Sequence, residues 1–513
     1  MKNIFKIKIF FLTALLFAAI SCKDLSTVNN NNPDRNAVLA SGTDLLAVLG
    51  GGYISYWQAV HDVHPAMALS ITSDTYGVSW GNFAGRRMGE EPRASYNNRS
   101  SETQDYKKLV EDPWFGLLSA VSTANDILIA LRGGTSIDNG GPQDKTVEAS
   151  ALFLRGVSWG YLGLIFDQAL LVDENTSLDE QIPFTPYQDM IGPAVRDLDQ
   201  AASTATSAGA DFTNNFFNGI TLDSDQFTKL CNSYSARFLS NWPRTESEAG
   251  GIDWNSVLSH AQNGLDFDFS PIADGNLWIS YQRFAFAETG QGAFWARLDQ
   301  RLVATFDPSQ PTRYPEVVAL GEPELTDSMA TSDDARLLSD YLYVPNNNFA
   351  IDRGEWHFSN YKNNRNAVDP TFAGDGSSVG PMPAFLAADN DLLKAEAFLE
   401  TGKKADAIAI INAGTRVTRG NLPPIDGGAS DGEVRQAIRY ERAIELNSAS
   451  PLNLWTERRR WGPRQNFREV TALGGLQIGT PAQLPVPADE LGVQELAPYN
   501  FGGSQDPEGI NRF

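Results

Sequence analysis

The chain has 513 residues, with 63 acidic against 40 basic side chains, a net charge of −23, 42% hydrophobic content and two cysteines. So negative a field argues against nucleic acid and anionic membrane surfaces as partners, and two thiols cannot build a disulfide framework. The length and apolar content suffice for a large core, so the chain reads as a sizeable globular body rather than a small stapled domain.

The N-terminus comes first. Lys2, Lys6 and Lys8 form a basic start, Ile9 to Ile20 an apolar segment, and Ala19-Ile20-Ser21 places small residues before Cys22. This order predicts a signal peptide over 1–21, cleaved before a cysteine that is acylated as in bacterial lipoproteins. Ala19 stands where such motifs usually carry Leu. Residues 22–36, with Asn29-Asn30-Asn31-Asn32-Pro33, lack apolar periodicity and read as a flexible lipid-anchored tether. Cys231 then has no partner and reads as a small buried side chain on a helix.

The body, 37–513, opens on a helix capped by Thr43 or Asp44 that carries Leu45, Leu46, Val48 and Leu49 toward Tyr53 and Trp57. From Ser73 to Asp112 the pattern dissolves, which predicts a long ordered loop. Leu117, Val121, Ala124, Leu128 and Leu131 mark a helix ended by Gly133-Gly134, and a second runs from about Thr146 to Phe166. Helical stripes recur over Gln188–Ala202, at Phe227, Leu230, Tyr234 and Phe238, and at Trp254, Leu258, Ala261 and Leu265. They return as Leu392, Ala395 and Leu399 before Gly402, then Ile408, Ile411 and Thr415. The fold class is therefore mainly α. Helical pairs form a scaffold mainly over 37–266 and 389–470, without an exact repeat length, around an irregular insertion at about 267–388.

The C-terminal part carries a recognisable order of motifs. Leu392-Leu393-Lys394-Ala395-Glu396-Ala397-Phe398, Thr401-Gly402, Ala407 to Asn412 and Arg416 to Pro423 are followed by Ile438-Arg439-Tyr440-Glu441-Arg442-Ala443-Ile444-Glu445-Leu446. Arg459-Arg460-Trp461-Gly462 and Leu484-Pro485-Val486-Pro487 close the series. Together with Cys22 and Ala151 to Phe166, this set resembles the SusD/RagB family of outer-membrane, nutrient-binding lipoproteins. Where that family continues with Phe-Glu-Gly-His/Arg after its Glu-Leu, this chain has Asn447-Ser448-Ala449-Ser450-Pro451. The resemblance implies tetratricopeptide-like helical pairs with a large loop-rich elaboration that bears the ligand site. It also implies a non-enzymatic role without a cofactor. In that role the lipoprotein, anchored in outer-membrane lipid and facing the cell exterior, binds a polysaccharide or oligosaccharide. It then passes the glycan to a SusC-type TonB-dependent transporter. Lys23-Asp24 fits the charged signals that send such lipoproteins to the surface.

Sugar recognition needs flat apolar faces with hydrogen-bonding groups beside them. Aromatics outside helical stripes are the candidates: Tyr76, Trp80, Phe83 and Tyr96 in the first loop, and Trp278, Tyr281, Trp356 and Tyr361 in the insertion. Asn82, Arg86, Asn363 and Asn364 are candidate hydrogen-bonding partners, whereas Trp57, Trp159 and Trp254 lie on stripes and read as core. Arg442 and Glu445, with Glu441 and Arg439, read as an ion-pair cluster joining their helix to its neighbours. Glycosidase carboxylates must face each other across a bond, which neighbours on one helix do not establish. Arg458-Arg459-Arg460 reads as a solvated or carbonyl-capping helix end. His61 and His64, spaced for one helical face, lack the third ligand a zinc site requires, so no metal is expected. The rival reading is a secreted helical glycoside hydrolase or lyase.

Overall fold

A computed structural model describes residues 39–78, 84–177, 179, 181–281, 296–314, 328–345, 357–365 and 379–513. Helix α1 (Gly42–His61) starts where the Ser41 hydroxyl accepts the Asp44 N–H, so the cap is Ser41 rather than Thr43 or Asp44. Its Leu45, Leu49, Tyr53, Trp57 and Val60 form the buried stripe. Asp62 is extended and caps α2 (Val63–Thr72), a second helix hidden in sequence because it follows α1 after a single residue.

Helix α3 (Gln104–Arg132) begins inside the stretch read as loop, well before the stripe at Leu117, and includes Pro113 in an early turn. Helix α4 (Pro142–Ile165) is the centre of the molecule: from Thr146 to Ile165 every residue except Glu148 is buried. A helix enclosed on all sides needs close approaches, and its small residues supply them. A Cβ at Gly160 would lie 2.2 Å from the Phe238 ring, and one at Gly163 would lie 2.9 Å from Met190 Cβ.

Further helices pack in succession, each on the one before it. They are α5 (Tyr187–Ala208), α6 (Ser224–Asn241) with an Asp223/Gln226 capping box, α7 (Trp254–Gln262), α8 (Ala387–Glu400) and α9 (Lys404–Ala413). The array is continuous across residues 263–386, because α7 and α6 both pack on α8. Helix α10 (Asp431–Glu445), capped by a Ser430/Glu433 box, lies on α8 and α9, and α11 (Asn453–Arg458) follows. Thr415 belongs to a separate turn, Thr415–Thr418, because Gly414 ends α9.

Among the described residues the strands are two- and three-residue antiparallel pairs. Tyr76–Gly77 pairs with Arg297–Leu298, Ser95–Tyr96 with Phe501–Gly502, and Tyr341–Tyr343 with Tyr361–Asn363. The first two pairs tie the first loop to distant parts of the chain, and the third closes within the insertion. The insertion has its own apolar core, in which Leu298, Leu302, Leu337 and Tyr341 join Ala443 and Ile444 of α10. The fold is mainly α, as the periodicity implies. Cys231 is buried and free on α6.

Candidate functional site

Two buried charge clusters hold the irregular insertion on the helices, and both are built the same way. Asp334 accepts the Arg336 backbone N–H at 2.9 Å and its side chain Nη2 at 2.8 Å. Asp299 accepts the Arg301 N–H at 2.8 Å and pairs with its guanidinium at 3.3 Å. Each Asp-x-Arg step thus turns the chain into a short helix and aims an arginine inward.

Arg336 reaches α10, donating to Glu441 at 2.6 Å and Glu445 at 3.2 Å. Glu445 also receives Arg419 at 2.6 Å and Arg365 at 3.0 Å. Arg442 points the other way, to Glu457, to Asp389 at 3.4 Å and to Glu396 at 3.7 Å. One helix therefore clamps the insertion with its two glutamates and the helical core with its arginine. Burial raises the Glu457 carboxyl to about 7 despite Arg442. At Glu396 burial also opposes ionisation, but Arg460 and Arg442 outweigh it and hold the carboxyl at about 2.

The second cluster centres on Asp74, which pairs with Arg93 at 2.7 Å, Arg458 at 2.8 Å and Arg301 at 3.5 Å. Burial works against the Asp74 charge, yet these arginines keep its carboxyl below the ordinary range. Glu91 completes the cluster with Arg301 at 2.5 Å, Arg313 at 2.6 Å and His357 at 3.6 Å. Burial pushes the Asp299 carboxyl up to about 6. The cluster underlies the Tyr76–Gly77 and Arg297–Leu298 pair, to which Phe358 is added by a bridge with Asp299. Val78 and Ala296 share an apolar cluster beside this pair, and His357 and Phe358 lie against Gly77.

Five of the eight candidate aromatics are at most 6% exposed: Tyr76, Tyr96, Trp278, Tyr281 and Tyr361. They pin loops and present no face to solvent, a correction to their reading as stacking platforms. Tyr76 OH donates to Asn447 Oδ1 at 2.6 Å and meets Ser448 Oγ, Tyr96 OH donates to the Tyr106 carbonyl, and Tyr361 OH accepts the Ala330 N–H at 2.8 Å. Trp278 packs on Trp57 at 4.9 Å, and the Tyr281 N–H donates to the His61 carbonyl at 2.8 Å. The reason is local: each ring sits on or beside a short paired strand or a bonded loop whose interior it fills. Asn363 is buried with Tyr76 and Asn447, so the departing segment after Leu446 is a polar seam inside the protein. Trp80, Asn82, Phe83, Trp356 and Cys22 lie outside the described residues.

His61 and His64 do not share a face, because Asp62 separates their helices and His64 has φ −105° and ψ 116°. His61 stacks on Trp57 at 4.0 Å, and burial lowers its pKa to about 3. Trp57 and Trp159 are buried and Trp254 is half-buried against the core. Arg458, Arg459 and Arg460 are buried, not solvated. Arg458 and Arg459 donate to carbonyls of Thr471, Gly475, Leu164 and Ala482, and Arg460 pairs with Glu396 at 2.6 Å. Arg301 and Arg336 were missed in sequence, although the repeated Asp-x-Arg step marks both.

The described residues form an array of paired helices with an irregular insertion held on it by buried arginines. No family profile matches the sequence, and no curated relative matches it. Solved structures do. A SusD superfamily protein from Parabacteroides distasonis matches with TM-score 0.61 and 13% identity over 88% of this chain and 97% of its own. A SusD-like protein from Bacteroides fragilis matches with TM-score 0.57 and 13% identity, over 92% and 99%. A SusD-like carbohydrate binding protein from Bacteroides vulgatus matches with TM-score 0.55 and 15% identity, over 82% and 83%. The chain has the SusD fold.

Proposed function

We propose that the chain is a non-catalytic outer-membrane lipoprotein that binds a glycan or oligosaccharide and delivers it to a SusC-type TonB-dependent transporter. Acylated Cys22 anchors it, facing the cell exterior. The observation that carries this reading is the fold, which it shares with structures described as SusD-like carbohydrate binding and putative sugar binding proteins. The basic, apolar and Cys22 pattern at the N-terminus supports the anchor, and the transporter follows from the same resemblance. Trp80 and Trp356 are the ligand contacts, since aromatic rings outside the helical stripes offer the flat apolar faces that sugar rings stack on.

The hydrolase or lyase reading gains nothing from the motif carboxylates. The Glu441 and Glu445 side chains, on one helix, are 1% exposed and both held in ion pairs with Arg336, not placed to face each other across a glycosidic bond. The test is a native gel series in which the soluble chain, truncated before residue 37, migrates through candidate polysaccharides while reducing ends are assayed. Retention without new reducing ends is expected. Cleavage that disappears when a facing carboxylate pair is replaced would transfer the protein to the enzyme class. Cys22→Ala should release the full chain from membranes, and persistence there after a salt wash in a strain without the transporter would defeat the anchor.

A further inference from the structure

We infer that the cavity between α8, α9 and α10 is a second saccharide subsite and that it takes an uncharged sugar. This rests on the glycan-binding reading and adds a place and a ligand class to it. The start of α8, the end of α9, the turn Thr415–Thr418 and α10 enclose about 290 Å³. Leu386, Leu392, Ile410 and Ile411 line it with aliphatic surface, while Arg416, Thr415, Thr418, Asp391 and Glu441 supply polar atoms.

Arg416 is the side chain that its own protein leaves open. Its Nε donates to the Pro423 carbonyl at 3.1 Å, but its nearest carboxylate is Glu441 at 3.8 Å, beyond hydrogen-bond length. The side chain is 15% exposed, so its terminal N–H groups are available where they border the cavity. Arg419 offers less, since both of its terminal nitrogens are committed to Glu445 and Asp340.

Charge decides the ligand class. Three arginines, Arg365, Arg416 and Arg419, share the lining with four carboxylates, Asp268, Asp391, Glu441 and Glu445. An anion would meet at Arg416 a guanidinium that already faces Glu441 at 3.8 Å, with Asp268 in the same lining. A cation would find Glu445 already held by three guanidiniums and Asp391 by Lys394 at 2.8 Å. Neither recovers the cost of its own desolvation. A hydroxyl loses far less on entry, and it both donates and accepts, which suits guanidinium, carboxylate and threonine neighbours. Aliphatic side chains can meet the C–H faces of the ring. Ala387 and Asp391 also border a cavity of about 350 Å³ lined by Asn263 and Gln262, so the next sugar of a chain has a polar place to continue.

The full chain is titrated with glucose, N-acetylglucosamine, glucuronate and glucosamine by calorimetry and saturation-transfer NMR, beside Ile410→Trp, which fills the cavity, and Arg416→Met, which removes its open donors. At least one neutral probe should bind, Ile410→Trp should abolish that binding, and Arg416→Met should weaken it by about tenfold, the scale of a lost hydrogen bond to a charged donor. Thermal midpoints identify any variant that fails to fold, and the other then decides. Preference for glucuronate or glucosamine, unchanged neutral binding in the folded variants, or no neutral binding at all would overturn the subsite. Polysaccharide retention by the wild type is read in parallel on native gels. Retention with a failed probe series removes the subsite alone, whereas loss of both removes the glycan-binding reading as well.

Discussion

Where α4 meets α6, the contact is a ring laid against a helix backbone: Phe238 covers Gly160, and Tyr161 meets Phe238 edge-on at 5.4 Å. Where the insertion meets α10, a small apolar contact at Ala443 and Ile444 is joined by Arg336, which is held by Asp334, Glu441 and Glu445. The first interface gains stability from apolar area removed from water and tolerates no added volume. In the second, ions lose hydration and recover it only through complete pairing, so its net stabilisation is small while the loss of any one member is expensive. Helices can repeat an apolar stripe. Irregular backbone cannot, and here it is fastened at points by guanidiniums that each satisfy several acceptors.

The comparison can be broken from either side. Trp159→Ala in the array and Arg336→Ala in the clamp should each cost about 3–5 kcal/mol of unfolding free energy, measured by denaturant titration. The mechanisms separate on adding a second change. Glu441→Gln in the Arg336→Ala background should recover part of the loss, because it removes a stranded buried charge. A strictly additive result would show that the clamp is not a coupled unit.

Acid and base sharpen the contrast next. Glu457 has its folded pKa raised to about 7 from 4.5, so the native state holds its proton more tightly, and stability from this group falls as pH rises through that window. Glu396 has its folded pKa lowered to about 2, so its contribution is present above about 4.5 and disappears as pH falls toward 2. Glu457→Gln should flatten the decline between pH 4.5 and 7 and leave the acid limb intact. A decline unchanged in the variant would assign it to other groups.

Recognition lies a step below. Trp80→Ala or Trp356→Ala should weaken polysaccharide retention by about 1–3 kcal/mol with little change in thermal midpoint. Normal retention by both folded variants would move the ligand face elsewhere. The smallest effect is expected at the α10 cap: Ser430→Ala loses the bonded hydroxyl of an exposed capping box, about 1 kcal/mol, without reaching either interface. A larger loss would mean that α10 depends on its cap more than on its clamp.

Periodicity by itself determined the mainly helical class, the α3 and α4 pair, the recurrence near Leu392 and the burial of Trp57, Trp159 and Cys231, because apolar stripes report burial wherever a helix has one wet and one dry side. The same signal is silent on α2, which hides behind the single residue Asp62, and on the first turns of α3, where Pro113 and polar residues obscure the stripe. Only the tertiary structure decided the environment of each aromatic outside the stripes. Tyr76 and Tyr361 look alike in sequence to any loop ring, yet strand partners from hundreds or tens of residues away close over them. It also decided what the arginines do. Arg458 carries the same formal charge as a surface residue, and its burial follows from Asp74 and the Thr471 carbonyl coming within 3 Å of it, which no local spacing encodes. At Arg336 the Asp-x-Arg step marks the turn, but its partner Glu441 is set only by the tertiary structure.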